Sequence, residues 1–134
     1  MGTSIGIRAT VNLPYEQAVV KTTEALKAQG FGVLTQIDVK SVMKQKLNVD
    51  FRRYVILGAC NPPLAHRAFS ANLDVGLLLP CNVTVHEDGD KSVVTAADPV
   101  VLLGALQEDP SLQEVAAEVR SRMQQVIASL QQLP

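Results

Sequence analysis

Two short segments are the strongest candidates for chemistry, because each sets a thiol, an amide and a proline beside an apolar stretch. Asn next to Pro is common where a strand ends, since Asn can bond its own backbone and Pro fixes φ. That accounts for either segment alone, but a turn does not require a cysteine. If the two flanking strands pair, the segments can form one polar pocket at the end of the sheet. The segments are Cys60-Asn61-Pro62 and, in mirrored order, Pro80-Cys81-Asn82.

The two cysteines allow four interpretations. Free cysteines are commonly small buried hydrophobic residues, and strand alternation groups Cys81 with apolar neighbours. A redox-active thiol pair would need a nearby cation or helix N-terminus to lower a thiol pKa. A metal site is disfavoured, because Cys81 and His86 are five residues apart on one strand and so point to opposite faces. The fourth interpretation is a ligand pocket lined by polar groups of the two segments.

His66 is the remaining candidate for the pocket. It lies on a predicted short helix that begins at Pro62, on the side away from that helix's apolar stripe, so we expect it at the lip. A histidine without a neighbouring Ser or acid is a weak general base. The glycines do not form a phosphate-binding loop, and no cofactor is indicated. These observations favour a role other than catalysis.

The apolar pattern predicts the elements that hold the two segments. Alternating or continuous apolar residues predict strands, and 3–4 spacing predicts helices. In the second strand, Val33 and Ile37 are expected on the same face. Ser111 and Glu114 have capping-box spacing, which predicts that the last helix starts there. Strands are expected at 4–11, 31–39, 51–60, about 77–86 and 91–97, and helices from 14, over 40–47, from 62, over 100–106 and from 111. This order predicts a single domain over residues 1–134, with helices against a mostly antiparallel sheet in the α+β class.

Composition excludes several classes of protein. The 134 residues are 47% hydrophobic and 19% charged, which argues against intrinsic disorder. Twelve Lys and Arg against 13 Asp and Glu leave a net charge of −1, so a sequence-independent nucleic-acid binder is not expected. We recognise no signal peptide, and the longest apolar run is too short to span a bilayer. The expected location is therefore the cytoplasm, without membrane insertion and with reduced thiols.

Four segments carry a resemblance to a known family: Ile37-Asp38-Val39, Ile56-Leu57-Gly58-Ala59-Cys60-Asn61-Pro62, Gly76-Leu77-Leu78-Leu79-Pro80-Cys81-Asn82-Val83 and Asp98-Pro99. They are similar to those of the domain-of-unknown-function 302 family, and the resemblance covers nearly the whole chain. It implies a TBP-like α+β fold, with helices on one face of a curved antiparallel sheet, often in dimers. It implies neither an activity nor DNA binding.

Three functional hypotheses follow. The first is a homodimeric cytoplasmic module that binds a small ligand. The second is a thiol redox or persulfide-handling protein that uses Cys60 and Cys81. The third is a structural or interaction domain without a ligand. The expectation of a homodimer also rests on Pro80, which indicates an edge strand or a bulge within the fourth strand. The pocket residues of the first hypothesis are Cys60, Asn61, Pro62, His66, Pro80, Cys81 and Asn82.

Overall fold

Residues 2–106 and 109–133 are described by a computed structural model, in which helices pack against an antiparallel sheet. In this part of the chain, five strands form one open sheet in the order β1-β5-β4-β3-β2, with antiparallel neighbours throughout. The predicted α+β class is confirmed. The elements are β1 (Gly6–Val11), α1 (Tyr15–Ala28), β2 (Gly32–Asp38), α2 (Val39–Leu47), β3 (Tyr54–Cys60), α3 (Pro62–Ala71), a 3₁₀ helix (Leu73–Leu77), β4 (Cys81–Asp88), β5 (Lys91–Ala97), α4 (Pro99–Leu102), a second 3₁₀ helix (Leu103–Leu106) and α5 (Pro110–Gln131).

The inner face of the sheet forms the core with α1 and α5. Leu57 of β3 lies opposite Val83 of β4, and Val55 lies opposite Val85. All four are fully buried. The 3–4 spacing expected for the last helix is confirmed, because its apolar stripe is buried along the whole length of α5. That stripe consists of Leu112, Val115, Ala116, Val119, Met123, Val126, Ile127 and Leu130.

The outer face carries the alternate residues of the same strands. One row across it runs from Arg8 to Thr95 to Thr84. A second row brings His86 opposite Tyr54 of β3. Arg8 is exposed and the other four are partly buried, so the outer face is polar along these two rows.

The expected pattern of β2 is wrong in its second half. The pairing with β3 shifts register between Val33 and Thr35, which inserts one extra residue. A bulge of this kind reverses the alternation beyond it. Ile37 therefore lies opposite Ile56 on the outer face and is 48% exposed.

The expectation that Pro80 lies in an edge strand or at a bulge is also wrong. β4 is an internal strand between β3 and β5, and it begins one residue after Pro80. Before the first residue of a strand, proline removes no hydrogen bond from the ladder. The open edges of the described sheet are β1 and β2. Pro80 therefore no longer supports the expected homodimer, which stays a prediction.

The start of the last helix differs from the capping-box prediction. The N-cap is Asp109, whose carboxylate accepts hydrogen bonds from the backbone N–H groups of Ser111 at 3.0 Å and Leu112 at 3.4 Å. Pro110 takes the first helical position, where its missing N–H has no cost. Ser111 is thus inside the first turn. Within residues 2–106 and 109–133, no helix is both long and apolar enough to cross a bilayer.

Candidate functional site

The pairing of β3 with β4 brings the two thiol-containing segments to the same end of the sheet. Ala59 lies opposite Cys81, and Gly58 lies opposite Asn82. Because β3 ends at Cys60 and β4 begins at Cys81, both thiols are next to the point where the strands leave the sheet.

A cavity of about 210 Å³ lies beside these strand ends. Four of the predicted site residues line it, namely Cys60, Asn61, Pro80 and Cys81. The other walls come from β2, α3, the segment before β4, and the helices after β5. In the part of the chain that the structure describes, the lining contains no charged residue, so the cavity is apolar where the sequence indicated a polar pocket.

Three predicted residues do not line this cavity. Pro62 is exposed at the first position of α3. His66 is exposed on the same helix, where it borders a separate surface groove. Asn82 is exposed on the outer face, since a strand directs it away from the side of Cys81. The loss of Asn82 and His66 from the lining explains why the cavity has so few polar groups.

Asn61 has a structural role in the cavity wall. It is 7% exposed, and its Oδ1 accepts a hydrogen bond from the Leu64 N–H at 3.2 Å, which caps α3. Its amide Nδ2 packs on Gly30, where φ is +85° and an added Cβ would be only 2.9 Å from that nitrogen. Asn61 therefore joins α3 to the turn that follows α1.

The chemistry of Cys81 is set by burial. Desolvation, and then the neighbouring Cys60, raise the pKa of the Cys81 thiol to about 11. A thiol with this pKa is almost wholly protonated at neutral pH, and the thiolate is the reactive form. The helix that begins at Pro62 offers little help, because Pro62 and Pro63 have no N–H to donate.

The register also disfavours a disulfide between the two cysteines. Both are free thiols. The residue opposite Cys81 is Ala59, so Cys60 is displaced by one position along β3. Successive residues of a strand point to opposite faces, whereas a disulfide requires side chains directed at one another.

Sequence reasoning missed most of the cavity wall. Phe31 precedes β2, Leu103 follows α4, and Val115 and Val119 belong to α5. The apolar spacing of α5 identifies Val115 and Val119 as core residues. It does not indicate that they border a cavity, which depends on how closely the neighbouring elements pack.

Gly58 beside the site is expected to tolerate no side chain. A Cβ there would overlap Thr35 Oγ1 and lie 2.8 Å from Pro80 Cγ. Overpacking of this kind commonly costs about 1–3 kcal/mol. We therefore expect Gly58→Ala to lower the free energy of unfolding by that amount in urea denaturation.

Gly32 provides the matched control for this substitution. It is also in a strand, but an added Cβ would meet nothing within 4 Å. Gly32→Ala should change stability by less than about 0.5 kcal/mol. Adding Thr35→Ala to Gly58→Ala should recover part of the loss, because it removes the closest contact. Equal stability of the two glycine variants would contradict the packing of Thr35 and Pro80 over Gly58.

Comparisons with known proteins agree with this fold. The family described as "Domain of unknown function DUF302" matches residues 7–130 of the chain. No curated protein matches it. The structure is similar to the crystal structure of an uncharacterized conserved protein DUF302 from Bacillus stearothermophilus, with a TM-score of 0.86 and 31% sequence identity. The likeness covers 96% of this chain and 99% of that one. The chain therefore belongs to the DUF302 family.

Proposed function

We propose that the chain is a binding module for a small, uncharged, apolar molecule held in the cavity beside Cys60 and Cys81. The observation that carries this proposal is a cavity of about 210 Å³ whose lining, among residues 2–106 and 109–133, contains no charged residue. An apolar cavity of about 150 Å³ in another protein is large enough to bind benzene. A single ring or a short hydrocarbon chain is therefore of suitable size.

The lining selects against charged ligands. Moving an ion from water into an apolar site is costly unless a partner of opposite charge compensates for it. Asn61 is the main polar side chain of the wall, and its Oδ1 is already engaged in capping α3. The raised pKa of Cys81 keeps its thiol neutral. A neutral ligand loses the least hydration on entry.

The two thiols contribute soft, polarisable contacts. Cysteine in its neutral form acts as a small hydrophobic residue with a weak S–H donor. Phe31 and Phe69 also line the cavity and add aromatic surface. This combination supports binding of an aromatic ring in preference to a polar metabolite.

A thiol redox or persulfide function has less support. It requires an accessible thiolate, whereas burial raises the pKa of Cys81 to about 11. A domain without any ligand is the other competing hypothesis. The experiment below separates it from the binding module.

Toluene and benzoate are suitable probes, because they have the same ring and differ in charge. Toluene should shift the methyl NMR resonances of Val115 and Val119 in a saturable manner, and benzoate should not. Ala65 borders the same cavity, so Ala65→Phe should fill part of it and weaken toluene binding at least about tenfold.

Ala128→Phe is the matched control. Ala128 is exposed on α5 and does not line the cavity, so this variant should bind toluene like the parent chain. Saturable shifts that persist unchanged in a folded Ala65→Phe variant would place the ligand elsewhere. The absence of any saturable shift in the folded parent chain would favour a domain without a ligand.

A further inference from the structure

The outer face of the sheet carries a group of cationic residues that the cavity does not involve. Arg8 lies on this face in β1, and Arg52 precedes β3 by two residues, on the side of Tyr54. Lys91 of β5 lies opposite Asp88 of β4 at the same end of the sheet. The outer face therefore carries Arg8, Arg52 and Lys91 as well as Asp88, although the whole chain has a net charge of −1.

The side chain of Arg8 extends across the sheet. Its Nε donates a hydrogen bond to Thr95 Oγ1 at 3.0 Å. Thr95 lies opposite Thr84 of β4, and Thr84 is two residues from His86 on the same face. The guanidinium is thus hydrogen-bonded to one hydroxyl of this row, and its charge is close enough to lower the pKa of His86.

His86 is held in a fixed orientation within this group. Its ring stacks on Tyr54, with centroids 5.4 Å apart and planes inclined by 4°. Among the described residues, its Nδ1 is buried and has no hydrogen-bond partner. Burial lowers the pKa of His86, Arg52 and Arg8 lower it further, and Asp88 opposes them. The surroundings of the imidazole are therefore electropositive.

The adjacent residues Arg52 and Arg53 differ in their ion-pair partners. Arg53 forms ion pairs with Glu16 at 3.1 Å and Glu87 at 4.0 Å. Arg52 has no ion pair with any residue in the described part of the chain. One of two adjacent arginines is thus satisfied within the fold, and the other is available to an external anion.

We propose that this outer face is a second binding site, which takes a small molecule bearing a phosphate or carboxylate group between Arg8, Arg52 and His86. An arginine fork matches the oxygens of such groups, and charge-assisted hydrogen bonds of this kind are stronger than neutral ones. The hydroxyls of Thr84 and Thr95 can donate further hydrogen bonds. The site is separate from the apolar cavity and does not depend on the function proposed for it.

The chain has two histidines, and His66 serves as an internal control for His86, because it is exposed on α3 at a different surface. Inorganic phosphate and acetate are titrated separately at constant ionic strength, with sodium chloride as the balancing salt. The imidazole proton resonances report on each histidine. We expect a saturable shift at His86 and not at His66, together with a rise in the pKa of His86 when the anion is bound. Comparison of phosphate with acetate shows which of the two groups the site prefers.

Arg8→Gln should weaken anion binding at least about tenfold, and Arg52→Gln provides a second variant at another exposed position. Arg67→Gln is the control, because Arg67 is on α3 and interacts with Glu114 and Glu118. Circular dichroism confirms that each variant is folded. Equal responses of both histidines, a shift that does not saturate, or unchanged binding in both folded Arg8→Gln and Arg52→Gln variants would overturn the proposal.

Discussion

Alkylation of Cys81 at pH 7.5 should be at least about tenfold slower in the folded chain than in the unfolded chain. Burial raises the pKa of this thiol from 9.0 to about 11, so the thiolate population falls about a hundredfold. A more basic thiolate is a better nucleophile, which recovers up to about tenfold of the rate. Restricted access to the buried sulfur slows the folded chain further.

The measurement uses a Cys60→Ser variant, so that Cys81 is the only thiol. Iodoacetamide incorporation is followed by mass spectrometry in buffer and in concentrated urea. In the folded chain the rate should increase about tenfold per pH unit until the pH approaches the pKa of about 11. The Cys81→Ser variant reports on Cys60 under the same conditions.

This experiment also decides between two of the functional hypotheses. A folded-state rate that levels off below pH 8 would reveal an activated thiolate and restore the thiol redox hypothesis. A slow rate that keeps rising into alkaline pH would agree with Cys81 as a neutral wall of an apolar cavity. The toluene experiment then tests that cavity directly.

Leu57→Ala should lower the free energy of unfolding by about 2–5 kcal/mol. Leu57 is 0% exposed on the inner face of β3, where it lies opposite Val83 of β4. Removing its isobutyl group takes away buried apolar surface and leaves a void that neighbouring strands cannot close without breaking register. Urea denaturation monitored by circular dichroism measures the loss.

Leu73→Ala is the control, because Leu73 is 81% exposed in the first 3₁₀ helix. The same chemical change there should alter stability by less than about 0.5 kcal/mol. Similar losses in the two variants would show that Leu57 does not lie in the core, and the inner face described above would then be wrong.

Local patterns predicted the elements well but not every boundary. The expected strands at about 77–86 and 91–97 form a hairpin, β4 and β5, whose two-residue turn is Gly89-Asp90 with Gly89 at φ +63°. The bulge in β2 was not predicted, because Leu34 is apolar and fits a strand with or without an extra residue. The N-cap of α5 moved to Asp109 because Pro110 can occupy the first helical position.

The candidate site was predicted only in part, because contacts between elements decide which residues line it. Cys60 and Cys81 could be placed near one another, because Cys60 ends the expected third strand, Pro80 and Cys81 interrupt the expected fourth strand, and those two strands are consecutive. Which neighbours join them on one wall depends on strand register and helix packing. That is why Asn82 and His66 proved to lie on other surfaces. Arg8 of β1 and Arg52, which precedes β3, come close to His86 of β4 only once the sheet is assembled.

The sequence by itself determined the α+β class, the order of the elements and the two thiol-containing segments as a place to look. These properties depend on periodicity and turn chemistry, which act over a few residues. Only the tertiary structure decided that the cavity is apolar and that Cys81 is hard to ionise. Both follow from burial by β2, α3 and α5, and burial is a property of contacts between segments far apart in the chain.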